Sequence, residues 1–205
     1  MARGLFISFE GIDGVGKSTQ VNLLAEHLAE SGRQVFCTRE PGGTELGDEI
    51  RALLLHGKGH VDARAEALLY AADRAQHVAL EIEPRLAAGT DVITDRYLDS
   101  SVAYQGAGRE LGYDEVRALS IFAVKGLLPQ LTVLLDLEPA TAAARLAGTE
   151  LDRLESEKIE FFEAVRSGFL TLAKAEPERW LVLDASLPAE EIASLVRLRF
   201  ASLIH

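Results

Sequence analysis

The chain has 205 residues, 48% of them hydrophobic and 26% charged, enough apolar material for a sizeable core within one α/β domain spanning 1–205. Its formal net charge of −11 excludes a protein that coats nucleic acid through a basic surface, and no apolar run approaches the ~20 residues of a membrane-spanning helix. Cys37 is the only cysteine, so no internal disulfide forms and the reducing cytoplasm is the expected compartment.

The first apolar run, residues 5–9, predicts a buried strand rather than a signal peptide, because it leads directly into Gly11-Ile12-Asp13-Gly14-Val15-Gly16-Lys17-Ser18. That segment fits G-x-x-x-x-G-K-[ST], a phosphate-binding loop between a strand and a helix. Glycines let successive N–H groups converge, and the following helix adds its positive end. Lys17 can then reach the β- and γ-phosphates of a nucleotide, and the Ser18 hydroxyl can ligate Mg²⁺. A helix over 18–31, stopped by Gly32, leads to a second strand at 34–38 and the polar segment Thr38-Arg39-Glu40-Pro41-Gly42-Gly43-Thr44. His56 and His60 have a metal-ligand spacing, but Gly57 and Gly59 favour exposed loop histidines instead. A helix over 66–88, closed by Gly89, precedes a strand at 91–94 and Asp95-Arg96-Tyr97. A helix over 113–127, a strand at 131–135 ending before Asp136, and a helix over 155–175 follow. The acidic stretch 152–163 reads as a solvated helix face. A last strand at 180–183, the turn Asp184-Ala185-Ser186 and a helix over 189–203 complete the chain.

Apolar strands alternating with amphipathic helices predict a five-stranded parallel sheet with helices on both faces. In such sheets ligands bind beyond the carboxyl ends of the strands. Each polar segment above follows a strand, so all should crowd one rim. Arg39 and Arg96 opening onto the rim of a phosphate loop can each fork onto a phosphate.

These segments together resemble the thymidylate kinase family over nearly the whole chain. The resemblance rests on Phe9-Glu10 leading into the loop and Thr19 closing it, on Thr38 to Thr44, and on Ala72-Asp73-Arg74. It continues through Asp95-Arg96-Tyr97, Ser100-Ser101, Ala103-Tyr104-Gln105 and Glu150-Leu151-Asp152-Arg153 before Phe161-Phe162. It implies the P-loop nucleoside-monophosphate kinase fold with a lid near 145–155, and transfer of the γ-phosphoryl group of ATP to dTMP with Mg²⁺ as cofactor. Gly11, Gly14, Val15, Gly16, Lys17, Ser18 and Thr19 would bind ATP, Arg145 would pack against adenine and Ser186 would belong to the adenine loop. Asp13 would contact the sugar 3′-hydroxyl, and Arg39 and Arg96 would hold the acceptor phosphate. Tyr70 would stack on the base, Arg74 would bond its O4, and Ser101 would read its edge. Tyr104, with Gln105 beside it, would crowd the 2′ position. Ser18 and Asp95 would serve the metal, and Lys17, Arg96 and Asp95 the reaction. Glu10 would help order the loop. The family also implies a homodimer, for which the helices over 66–88 or 113–127 offer apolar faces.

Some family members carry a catalytic arginine where this chain has Gly14. Members with glycine there supply lid arginines instead, yet Ala147 and Thr149 stand where such residues would be expected. Arg153 is therefore the expected charge-stabilising arginine. The alternatives are a catalytically weak protein that binds dTMP and ATP, or a kinase for another nucleotide or a deoxynucleoside. A GTP-driven switch would need an N-K-x-D motif, and the sole asparagine, Asn22, lies in the first predicted helix.

Overall fold

The computed structural model describes residues 3–148 and 152–204. Strands β1 (Phe6–Glu10), β2 (Val35–Arg39), β3 (Asp91–Asp95), β4 (Leu131–Asp136) and β5 (Trp180–Asp184) form one sheet in the order β2-β3-β1-β4-β5. Every pairing is parallel. All five residues of β1 are buried, as expected for a central strand covered on both faces. Helix α1 (Lys17–Glu30) packs on β1–β3 and on the last helix, α9 (Ala189–Ala201). The long α8 (Ile159–Ala175) packs on β4 and β5. Phe6, Phe9, Ile93, Val133, Leu135 and Phe169 lie at the centre of the core.

Register sets the rim. Arg39 and Phe9 both pair with Asp95, and Asp136 pairs with Asp184, so the strand ends lie level. The polar residues following them therefore open onto one edge of the sheet.

The helices depart from the sequence pattern in instructive places. The helix expected over 66–88 starts earlier, as α3 (Ala63–His77), because the Asp62 side chain accepts from Arg64 N at 2.9 Å and caps it. It then passes through a π-helical stretch (Val78–Ile82) into α4 (Glu83–Ala87), whose first turn holds Pro84. Proline has no N–H to continue an α-helical ladder, and the wider turn accommodates it. The helix expected to reach 127 ends at Ala123, as α6 (Tyr113–Ala123), because Lys125 and Gly126 take positive φ. The one expected from 155 begins at Ile159, because the Asp152 side chain accepts from Leu154 N and Glu155 N and holds a turn there. Three helices escape the apolar pattern: α2 (Glu45–His56), the short α5 (Leu98–Ser101) continued by a π-helical stretch (Val102–Gly108), and α7 (Pro139–Arg145). No helix among the described residues is long and apolar enough to cross a membrane.

Candidate active site

β1 ends in the buried Glu10, the chain curls through residues 11–16, and α1 begins at Lys17. Lys17 is buried and donates from Nζ to Ile12 O at 2.9 Å, with Asp13 Oδ1 at 3.5 Å. Burial and the neighbouring Arg96 pull its ammonium below the ordinary lysine value. Ser18 Oγ donates to Asp95 Oδ2 at 2.9 Å, so the end of β3 meets the first turn of α1. Gly14, Gly16, Lys17, Ser18 and Thr19 line one wall of a cleft of about 470 Å³, and Arg39, Asp95 and Arg96 line the other. Val15 is buried beneath the loop, 3.1 Å from where a Cβ on Gly11 would stand. Arg145 closes one end, donating to Gly14 O at 3.4 Å and to Ala185 O at 3.0 Å, beside Ser186. Gly14 has φ +83°, and a Cβ there would stand 2.7 Å from Ala142 O of α7.

A second, smaller cavity of about 110 Å³ lies next to this cleft, lined by Tyr70, Arg74, Ser101, Tyr104 and Gln105. Asp13 and Arg96 line both. Arg74 is 1% exposed and anchored three ways: Nε to Glu40 Oε2 at 2.6 Å, Nη1 to Ser101 Oγ at 3.1 Å, and Nη2 to Tyr97 O at 3.2 Å. Glu40 also meets His77 Nδ1 at 3.0 Å. Arg96 adopts φ 71°, a costly conformation for a residue with a Cβ. It is held there by donating to Asp13 Oδ1 at 2.8 Å, Tyr104 Oη at 3.0 Å and Ser100 Oγ at 3.1 Å. Burial alone would push the Asp13 carboxyl up, but Arg96 and Lys17 hold it well below the usual carboxylate range. Glu10 braces the same turn by accepting from Tyr97 N at 2.9 Å and Ser100 Oγ at 2.5 Å. Burial and Asp99 push the Glu10 carboxyl up to about 8.

With that geometry in view, sequence relatives become informative. The model of the thymidylate kinase family matches residues 9–196. The chain belongs to the thymidylate kinase family. It is 60% identical over 203 residues to the thymidylate kinase of Clavibacter michiganensis subsp. michiganensis, covering 98% of this chain and 96% of that one. It is 61% identical over 198 residues to the thymidylate kinase of Leifsonia xyli subsp. xyli, covering 96% and 94%. Identity to the thymidylate kinase of Caldanaerobacter subterraneus subsp. tengcongensis is 48% over 182 residues, covering 89% and 88%.

Arg153 does not face the phosphate-loop cleft. Its guanidinium donates to Glu66 Oε2 and to Leu54 O, both at 2.7 Å, and its backbone N donates to Leu55 O at 3.2 Å. A buried carboxylate and a carbonyl at a helix end hold it on the far side of the small cavity. The acidic stretch is not a plain solvated face either. Asp152 and Glu155 bond each other's backbone N–H, and Glu157 pairs with Arg109 at 2.7 Å. Of the lid, Thr149, Glu150 and Leu151 lie outside the described residues. His56 ends α2 and His60 lies in the next loop, both exposed.

Arg51 was missed by the sequence reading. It lines both cavities from α2 and donates to Pro41 O at 2.8 Å. The available signal was Thr44, whose hydroxyl accepts from Gly47 N at 3.0 Å, followed by Ile50 and Leu54 at helical spacing.

Proposed function

We propose that the chain transfers the γ-phosphoryl group of ATP to dTMP, giving dTDP and ADP. The observation that carries this reading is the junction of the two cavities at Asp13 and Arg96. A nucleotide whose base lies between Tyr70, Arg74 and Ser101 would present its phosphate at that junction, facing the loop that cradles a second nucleotide's phosphates. The Ser101 hydroxyl accepts from Arg74, which leaves its own proton for a base carbonyl, and Arg74 keeps N–H groups beyond its three bonds. Gln105 stands beside them. Tyr104 would fill the space beside the sugar, and Asp13 would accept from the 3′-hydroxyl. Arg39 and Arg96 would hold the acceptor phosphate. Lys17 would exchange Ile12 O for the migrating phosphoryl group, with Gly11, Gly14, Val15, Gly16 and Thr19 shaping the donor site and Arg145 and Ser186 flanking adenine.

Ser18 and Asp95 suit Mg²⁺, being a hydroxyl and a carboxylate 2.9 Å apart on the cleft. When bound there the ion would neutralise charge on the donor's β and γ oxygens. Phosphoryl transfer needs alignment and charge compensation, and no general base is required when the acceptor phosphate arrives ionised. One kinase domain acting as a homodimer in the cytoplasm belongs to the same reading. Exposed Leu68 on α3 and Phe122 on α6 offer apolar faces for that contact.

A coupled ADP-release assay with ATP and Mg²⁺ tests the reading against dTMP, dUMP, dCMP, AMP and thymidine. Turnover strongest with dTMP is expected. No turnover with any of the five, while dTMP still binds in calorimetry, would replace the kinase by a binding protein. Faster turnover of another acceptor would reassign the substrate.

A further inference from the structure

The buried Glu66, met above only as the partner of Arg153, gathers two arginines and a side-chain amide on one carboxylate. It sits in the first turn of α3 with its side chain fully buried. Oε1 accepts from Gln105 Nε2 at 2.9 Å and Arg109 Nε at 3.2 Å, and Oε2 from Arg153 Nη2 at 2.7 Å and Arg109 Nη2 at 3.4 Å. Burying a carboxylate is unfavourable unless its partners are close and its oxygens satisfied. Burial would push Glu66 up, but bonds from Gln105, Arg109 and Arg153 hold it below the ordinary glutamate value. This hub ties together three parts of the chain: α3, the π-helical stretch after α5, and the turn that holds Arg153.

Two of those parts bear on the small cavity. Gln105 lines it, and committing Nε2 to Glu66 fixes which way its amide points. Arg153 lies in the turn at the rear end of the lid, whose Asp152, Leu154 and Glu155 line the same cavity together with Leu55. The arginine seats that turn against the end of α2 through Leu54 O and Leu55 O. Arg109 completes the assembly, tied to Glu66 on one side and to Glu157 on the other.

We infer that Glu66 is a positioning residue for the acceptor nucleotide. It orients Gln105, and through Arg153 it latches the rear end of the lid as a wall of the base pocket. The inference rests on the dTMP-kinase reading above for its kinetic readout, and on the geometry alone for its structural one.

Steady-state kinetics with saturating ATP on the wild type, Glu66→Gln, Arg153→Gln, the double variant and Arg153→Lys test it. Loss of one charge-assisted bond to the hub should raise the KM for dTMP by about tenfold in each single Gln variant, with kcat kept within ~3-fold. The double variant should be no worse than the weaker single variant, because both remove the same contact. Arg153→Lys should recover part of the lost KM, since it keeps the charge but not the fork. An unchanged KM, multiplying effects in the double variant, or a kcat loss of ~10²-fold at constant KM in Arg153→Gln would overturn the inference. The last result would return Arg153 to the phosphoryl group. Subtilisin cleavage within 145–155, followed without nucleotide, gives a readout independent of the substrate. Faster cleavage in both single variants, and no further gain in the double, is expected. Wild-type cleavage rates in Arg153→Gln would remove the latch even if dTMP proved not to be the acceptor.

Discussion

The two cavities meet at Asp13 and Arg96 but differ in how fully their polar groups are already engaged. Around the base pocket the polar groups are largely bonded to protein: Arg74 to Glu40, Ser101 and Tyr97, Gln105 to Glu66, and His77 to Glu40 and Thr38. Around the phosphate cleft Lys17, Ser18 and Arg96 are bonded to protein as well, but Arg39 is exposed at the end of β2 and its guanidinium has no partner among the described residues. The small pocket is thus organised before any ligand arrives, whereas the cleft keeps one arginine exposed at its rim. Residues of the pocket should therefore register in stability as well as in KM, and residues of the cleft mainly in turnover and phosphate binding.

The largest effect should fall on the cleft side. Lys17→Ala removes the lysine that would follow the transferring phosphoryl group and should lower kcat on the order of 10²–10³-fold in the ADP-release assay. On the pocket side, Glu40→Gln leaves the buried Arg74 charge without its partner. Breaking such a pair should cost about 3–5 kcal/mol, read as a fall in thermal midpoint of at least ~6 °C. Arg39→Ala sharpens the contrast. Its KM for dTMP should rise about tenfold while the melting point stays within ~2 °C, because an exposed, unpaired side chain contributes little to the fold. A melting point that drops as far as in the Glu40 variant would erase the distinction between the two sides.

A smaller effect concerns pH. Burial and Glu40 push Asp73 up to about 7 from an ordinary value of 3.8, against bonds and charges from Gly42 N, Arg74 and His77. The folded protein holds this proton where the unfolded chain has released it, so the associated stability is present below pH ~4 and is lost as pH rises toward 7. Asp73→Asn cannot titrate, so its melting point should fall less than the wild type's between pH 5 and 8, by about 2 °C or more. Equal slopes in the two proteins would remove Asp73 as the titrating group.

Much of this architecture was legible from residue order. Central parallel strands such as β1 and β4 are buried apolar runs, and all five strands fall within about a residue of their expected bounds. The phosphate loop has a fixed spacing, and the rule that ligands lie beyond strand ends brings Arg39, Asp95 and Arg96 to one rim from residue order alone. What stayed hidden involves partners distant in sequence or helices without a clear apolar stripe. Nothing near Arg153 indicates that its carboxylate lies 87 residues earlier, in α3. Glu66 reads as an ordinary exposed helix residue, since amphipathic pattern carries no sign of a charge turned inward. Helix α2, which brings Arg51 to both cavities, was obscured by the glycine and proline of its entry segment and by exposed Leu46 and Leu53.

The backbone of α7 also limits which residues the phosphate loop can accept. Where some members carry an arginine in the phosphate loop, this chain has Gly14 at φ +83°, and Ala142 O occupies the space a side chain would enter. A one-codon change to arginine here would strike a carbonyl and a backbone conformation at once. An arginine at position 14 of this chain would need α7 to retreat and the backbone to leave that φ together, so the position is held to glycine from two sides, by its own main chain and by a neighbouring helix.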